Sequence, residues 1–427
     1  MVTMADGQAR TERGFRLGQL VNDARYRSYT FQAIALLALI LAFGWLINNA
    51  VNNPILQQKG IDFSFLFAPA GYDINQQPIP YDSQSTHLRA ALVGALNTLI
   101  VAFLACVTAT VLGVIAGVLR LSGNWVVSKL MALYVEAFRN IPVLIWIVIF
   151  FVIAANIFPA PNAFRGEAPE ASMIGELVAI TNRGIYVPLP YFTNGIGAQA
   201  LEPGAEITAA QGSSALNWLV VLAVLAASAV ASRLIQRWAA RRQAETGRRP
   251  VTWPATAAVW ILPVVLTLVA LGMRWDVPAL RGFNFQGGLV LRNSLIALWL
   301  ALAVYTGAFI AENVRAGILA ISRGQTEAAA ALGLRPRRIM SLVILPQALR
   351  IIIPPLISQY LNITKNSSLA IAVGYMDLTG TLGGITLNQT GRALEAILLL
   401  MLFYLTFSLT ISAALNAYNN AVRLKER

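Results

Sequence analysis

The chain has 427 residues, of which 57% are hydrophobic and 12% charged, far oilier than a water-soluble globule of that length. One cysteine, Cys106, and one histidine, His87, exclude an internal disulfide, a thiolate metal cluster and any site built from two imidazoles, so no catalytic or metal site is assigned. The net charge of +13, from 32 basic and 19 acidic residues, is distributed over short segments between apolar runs. It reads as membrane topology and contact with anionic lipid, not as a nucleic-acid surface.

Residues 1–28 form a polar tail with Arg10, Arg13, Arg16, Arg25 and Arg27, and 29–50 is an apolar run of spanning length. That run is too long for the core of a cleaved signal peptide and reads as a retained first span. Further runs at about 90–119, 127–157, 215–235, 251–272, 290–320, 350–374 and 394–419 bring the count to eight. The expected fold is therefore an all-α polytopic membrane protein. With the N-terminus in the cytoplasm, 20 basic residues fall in inner segments and 7 in outer ones, so both termini are predicted to be cytoplasmic. The long outer segment 158–214, rich in proline and glycine, is expected to hold short helices and a surface that meets another molecule. A tolerated insertion is the alternative.

Five basic residues lie within spans, Arg139, Arg233, Arg292, Arg315 and Lys365, as do the acids Glu136, Glu312 and Glu395. Charge in lipid is expensive and calls for a partner or a task. Glu136 with Arg139 and Glu312 with Arg315 are three apart on one helix face and form candidate charge pairs, each able to tie neighbouring helices. Arg233 and Arg292 read as interface anchors. Lys365 lies 15 residues past Arg350, about 22 Å into a continuous helix. With Asn366 and Ser367 it is a candidate for lining a substrate path, with Asn293 and Thr306 as companions on the sixth span. A buried structural network is the competing reading.

Between the sixth and seventh spans the chain reads GQTEAAAALGLRPRRIMSLVILPQALR. Glu327, Ala328 and Ala329 are followed by Gly333 and then by Leu345 and Pro346. The alanines predict a short helix with almost no side-chain bulk, the glycine a left-handed end to it, and the Leu-Pro pair the return to the membrane. Such a helix is shaped to enter another protein's groove.

At these residues the chain resembles the membrane-spanning subunits of ATP-binding-cassette importers, whose signature is Glu-Ala-Ala, three residues, Gly, nine residues, Ile, any residue, Leu-Pro. Val343 replaces the isoleucine. The segments from Tyr134 to Pro142, Ala311 to Gly317 and Lys365 to Leu369 look like the polar-amino-acid branch, although Asn366 stands where that branch usually has aspartate. The resemblance implies a type I importer core of five spans over 87–157 and 290–427, with a coupling loop at 323–346. The first span at 29–50 and the insertion with an extra hairpin over 158–289 look like the larger permease of general L-amino-acid or glutamate/glutamine/aspartate/asparagine importers.

The resemblance further implies a homologous second permease, two ATPase subunits carrying ATP and magnesium, a periplasmic amino-acid-binding protein, and a bacterial inner-membrane location. The chain itself is expected to hold no cofactor. None of its lysines (Lys59, Lys129, Lys365, Lys425) follows a glycine, so it has no phosphate-cradling Gly-Lys loop. Glu327 is expected to be anchored by Arg337 or Arg338. The competing reading is a transporter or channel driven by an ion gradient. Its signs are inverted repeats, paired discontinuous helices and mid-membrane carboxylates. No repeat is visible, and Glu395 is the one span acid away from the cytoplasmic side.

Overall fold

The structure, a computed structural model, describes residues 24–53, 60–166, 169–196 and 215–422, and divides into units 1–65 and 66–427. The arginines of residues 1–23, Lys59, the 197–214 part of the outer segment and the basic C-terminal residues Arg423, Lys425 and Arg427 lie outside the described residues. Among the described residues, eight helices are long and apolar enough to cross a membrane. The first unit holds one of them, α1 (Ala24–Val51). It carries no charged residue after Arg27, so no side of it is suited to water.

In the second unit the helices are α2 (His87–Leu119), α3 (Trp125–Asn140), α4 (Val143–Ile157), α5 (Ala215–Thr246), α6 (Trp253–Ala270), α7 (Asn293–Leu319) and α8 (Arg323–Ala331). They are followed by α9 (Pro336–Ile339), α10 (Leu345–Asn366), α11 (Leu387–Thr390) and α12 (Ala393–Val422). The central helix is α7, which packs against α2, α3, α4 and α10. Leu298, Ala301, Leu302 and Ile310 of α7 are fully buried, as are Val101, Ala105 and Ala109 of α2 and Ile147 of α4.

Hydrocarbon is as apolar as leucine, so helices associate in it through close van der Waals contact. The α2–α7 contact is close because of two glycines. A Cβ on Gly113 would lie 2.5 Å from Ile310 Cβ, and one on Gly117 would lie 2.6 Å from the Ala311 carbonyl oxygen.

The expected third span, 127–157, is two helices. Ile141 is extended and Pro142 caps α4, because the residue before a proline is driven out of the helical region. The return to the membrane begins at Pro336, before Leu345. From there α9 passes through a π-helical turn, Met340–Ile344, into α10. The π turn pairs the Leu345 N–H with the Met340 carbonyl, and this shift of register accommodates Pro346, which has no N–H to give. At its far end α10 continues as a 3₁₀ helix, Ser367–Val373, which Gly374 ends in the left-handed region at φ +68°.

Where short helices were expected in the outer segment, the described part has one 3₁₀ turn, Pro161–Phe164, and three strands. These are β1 (Ala179–Thr181), β2 (Gly184–Val187) and β3 (Leu189–Phe192). The stretch before α7 adds β4 (Met273–Asp276), β5 (Ala279–Arg281), β6 (Asn284–Gln286) and β7 (Leu289–Arg292). All pairings are antiparallel, in the orders β1-β2-β7, β3-β4 and β5-β6. Tyr186 lies opposite Val290, and Pro190 opposite Trp275. Phe164, Tyr186 and Phe285 fill the small core beneath, with Phe164 edge-on to Phe285 at 5.2 Å.

The strands thus gather at one end of the bundle segments that are far apart in sequence. Loop 66–86 joins them there, as Gln76 Nε2 donates to the Val290 carbonyl at 3.2 Å. Helices α5 and α6 pack on each other, with Ser228 and Ser232 among the few buried α5 side chains.

Candidate functional site

The segment after α7 folds as its local sequence requires. Helix α8 ends in a Schellman turn, in which the Gly333 N–H donates to the Ala330 carbonyl at 2.9 Å and the Leu334 N–H to the Ala329 carbonyl at 3.3 Å. Gly333 sits at φ +76°, a conformation that penalises any residue with a Cβ. Ala328, Ala330 and Ala331 are exposed while Ala329 is buried, and Leu332 beside the turn is 81% exposed. The result is a smooth, nearly bulk-free ridge with one apolar knob.

A tie between α8 and α10 that sequence reading missed is the contact of Gln347 Nε2 with Gln325 Oε1 at 3.5 Å. Glu327 is exposed and makes no ion pair among the described residues. Its expected anchoring by Arg337 or Arg338 is therefore not formed. All three side chains point into open surroundings, where a salt bridge would gain little.

Immediately above, Glu312 of α7 pairs with Arg120 at the C-terminal cap of α2 and, at 3.0 Å, with Arg315. The expected Glu312–Arg315 pair thus extends to a neighbouring helix. The Glu136–Arg139 pair does not form. The Arg139 guanidinium lies 5.3 Å from the centre of the Phe309 ring, and Glu136 accepts from Asn140 Nδ2 at 3.3 Å. Stacking on an aromatic face gives a guanidinium an alternative to a carboxylate on its own helix. Helix α3 is further tied to α7 by Tyr134, whose hydroxyl donates to the Val304 carbonyl at 2.7 Å.

The five residues proposed for a path do not form one cluster. Lys365 is exposed, Asn366 half-buried and Ser367 fully buried, its hydroxyl donating to the Thr364 carbonyl at 2.8 Å. Asn293, at the first turn of α7, donates to the Asn182 carbonyl and so joins α7 to the strand end. Thr306, buried in the middle of α7, is 13 residues further on, about 20 Å away along the axis.

Sequence reading missed the irregular segment that follows α10. After Gly374, residues Thr379–Thr386 form a π helix leading into α11. Asp377, which falls between the seventh and eighth apolar runs, is fully buried. Its carboxylate accepts from the Gly380 N–H at 2.9 Å and the Tyr404 hydroxyl at 3.1 Å. Helix α2 holds the same segment. Thr98 accepts from the Leu378 N–H at 3.1 Å, and Asn97 Nδ2 donates to the Met376 carbonyl at 2.9 Å. A Cβ on Gly94 would come within 2.8 Å of the Asp377 carbonyl oxygen.

A cavity of about 600 Å³ lies beside Gly374, Tyr375, Gly380, Gly384 and Asn388. Irregular backbone among spanning helices is tolerated only where protein or a water-filled cavity satisfies it. The available sequence signal was the density of glycines, at 374, 380, 383 and 384. The buried Glu395 pairs with Arg392 at 3.2 Å. Among the described residues no three His, Cys, Asp or Glu side chains are grouped to hold a metal.

Comparison with known proteins places these features in context. Residues 220–424 match the family described as "Binding-protein-dependent transport system inner membrane component". The chain is 52% identical to the glutamate/glutamine/aspartate/asparagine transport system permease protein BztB of Rhodobacter capsulatus, over 97% of this chain and 98% of that protein. It is 44% identical to the putative amino-acid ABC transporter permease protein YhdX of Escherichia coli, over 94% and 95% respectively. It is 40% identical to the general L-amino acid transport system permease protein AapQ of Rhizobium johnstonii, over 97% and 96%.

Proposed function

As the chain belongs to the permease subunits of amino-acid ABC importers, we propose that it pairs with a homologous second permease and couples ATP hydrolysis in two separate ATPase subunits to amino-acid uptake. ATP and magnesium would reside on those ATPases. A periplasmic binding protein would deliver polar, acidic or a broad range of L-amino acids to the strand end. The complex would sit in a bacterial inner membrane with both termini of this chain in the cytoplasm. In this reading the core is 87–157 with 290–427, and α1, the insertion and the α5–α6 hairpin are additions.

The observation that carries the proposal is α8, a bulk-free helix closed by Gly333 and joined to the central helix α7 by a three-residue turn. Docked on an ATPase, Glu327, Ala328, Ala329 and Gly333 would transmit its closure. Leu345 and Pro346 would carry the motion into α10, and the bundle would switch access by rigid-body rocking. Glu312 bridging to Arg120 makes α2 and α7 respond together. Lys365 and Asn366 would meet the carboxylate common to amino acids.

The test is Gly333→Leu in the reconstituted complex. A left-handed leucine is disfavoured by about 1–2 kcal/mol, so the expected outcome is normal insertion with uptake reduced at least tenfold relative to ATP hydrolysis. Unimpaired coupled uptake removes the docking role. Uphill uptake by this chain in vesicles without any ATPase favours a gradient-driven transporter instead.

A further inference from the structure

Helices α5 and α6 form a hairpin of unequal arms, and its longer arm has a chemistry that the transport reading leaves unused. Their strand ends are level, because the short stretch after β3 holds both. The Asn194 N–H donates to the Leu271 carbonyl at 3.0 Å and the Ile196 N–H to Asn217 Oδ1 at 2.7 Å. Helix α5 has 32 residues and α6 has 18. At about 1.5 Å per residue, α5 therefore overhangs the other end of α6 by about 20 Å. By the same count, Arg233 is level with Trp253, where α6 begins.

From that level onward the overhang and its return loop carry Arg233, Arg237, Arg241, Arg242, Arg248 and Arg249, against one acid, Glu245. All six arginines are exposed, and none makes an ion pair with an acid among the described residues. Arg233, Arg237 and Arg241 follow one another at four-residue spacing and so share a face. The tip is closed by Thr246, whose hydroxyl donates to the Arg242 carbonyl at 2.6 Å, and by Gly247 at φ +71°. The return loop thus brings Arg248 and Arg249 back toward the base of the arm. Trp238 and Trp253 are 54% and 73% exposed and bracket the same level.

Favourable interaction with the helix dipole accounts only for cations in the last turn, not for Arg233 and Arg237. Every basic residue here is arginine, whose planar fork matches the oxygens of a phosphate. Tryptophan beside such residues marks the boundary between hydrocarbon and headgroups.

We propose that the overhang of α5 and loop 247–252 is a binding surface for anionic phospholipid headgroups, which anchors the added hairpin at the membrane face. Each juxtamembrane arginine contributes roughly fivefold in affinity for an anionic surface.

The test uses the full-length protein in neutral detergent, titrated separately with phosphatidylglycerol and phosphatidylcholine and read by native mass spectrometry. Phosphatidylglycerol is expected to bind at least tenfold tighter. Replacing Arg237, Arg241, Arg242 and Arg248 together by glutamine should cut that preference at least tenfold. The equal removal of charge by Arg323→Gln, Arg335→Gln, Arg337→Gln and Arg338→Gln should leave it within twofold. Equal binding of the two lipids, or equal loss in both variants, overturns the proposal. So does arginine modification of the wild type that phosphatidylglycerol slows no more than phosphatidylcholine does at Arg237 and Arg241, a measurement that does not depend on any variant folding.

Discussion

Single side chains in this protein divide into those whose roles are local and those whose roles are set from a distance. Lys365 is exposed on α10 amid otherwise apolar spans. If it meets the substrate carboxylate, Lys365→Met should insert normally and raise the half-saturating concentration for uptake about tenfold, roughly the loss of one charge-assisted hydrogen bond. Unchanged uptake in labelled-substrate assays would remove it from the path. Asp377 is the opposite case, buried with the Gly380 N–H and the Tyr404 hydroxyl aimed at it. Asp377→Ala leaves those donors unpaired and should destabilise the protein by about 1–3 kcal/mol. Asp377→Asn keeps an acceptor toward Gly380 and should lie much closer to wild type in thermal melting. Equal melting of all three proteins would show that the link carries no stability.

Among elements, the α2–α7 contact is the one most dependent on small residues. Gly117→Leu must push against the Ala311 backbone, which lies 2.6 Å from its Cβ position, and overpacking of this kind costs about 1–3 kcal/mol. A lowered melting temperature is expected. Gly123→Leu, with nothing within 4 Å of its Cβ position, serves as the neutral comparison. Matching behaviour of the two would mean that α2 and α7 can separate freely.

Elements also show where reading by sequence ends. The helix α8 and its glycine turn were legible because every bond that closes the turn joins residues within five positions of one another. The π turn before Pro346 was not placed, since hydropathy records a continuous apolar run whether or not the backbone within it is regular. The strands were missed for another reason. Pairs such as Gly184 with Arg292 join residues more than one hundred positions apart, and each strand is three or four residues long, too short for an alternation to register.

At the scale of the whole molecule, the segments expected on one side of the membrane do meet at one end of the bundle. The outer insertion pairs with the stretch before α7, and loop 66–86 bonds to both that stretch and α2. Most basic residues described in the second unit lie at the α8 end, which by the positive-inside rule is expected to face the cytoplasm. A Cys106→Ala protein with Phe283→Cys should react with an impermeant thiol reagent in intact cells, whereas one with Gly324→Cys should not. The reverse pattern would invert the topology.

By itself the sequence determined the eight apolar spans, the excess of arginine on one side and the conformation of the α8 turn. Each follows from composition or from contacts between near neighbours along the chain. Only the tertiary structure decided that Gly94, Gly113 and Gly117 are close-contact points, that Glu312 reaches Arg120 while Arg139 stacks on Phe309, and that Asp377 is buried beneath Tyr404. These depend on which helix faces which. In a chain whose helices are apolar on nearly every side, hydrophobicity does not distinguish one face from another. Shape and the few polar groups make that choice once the helices are together.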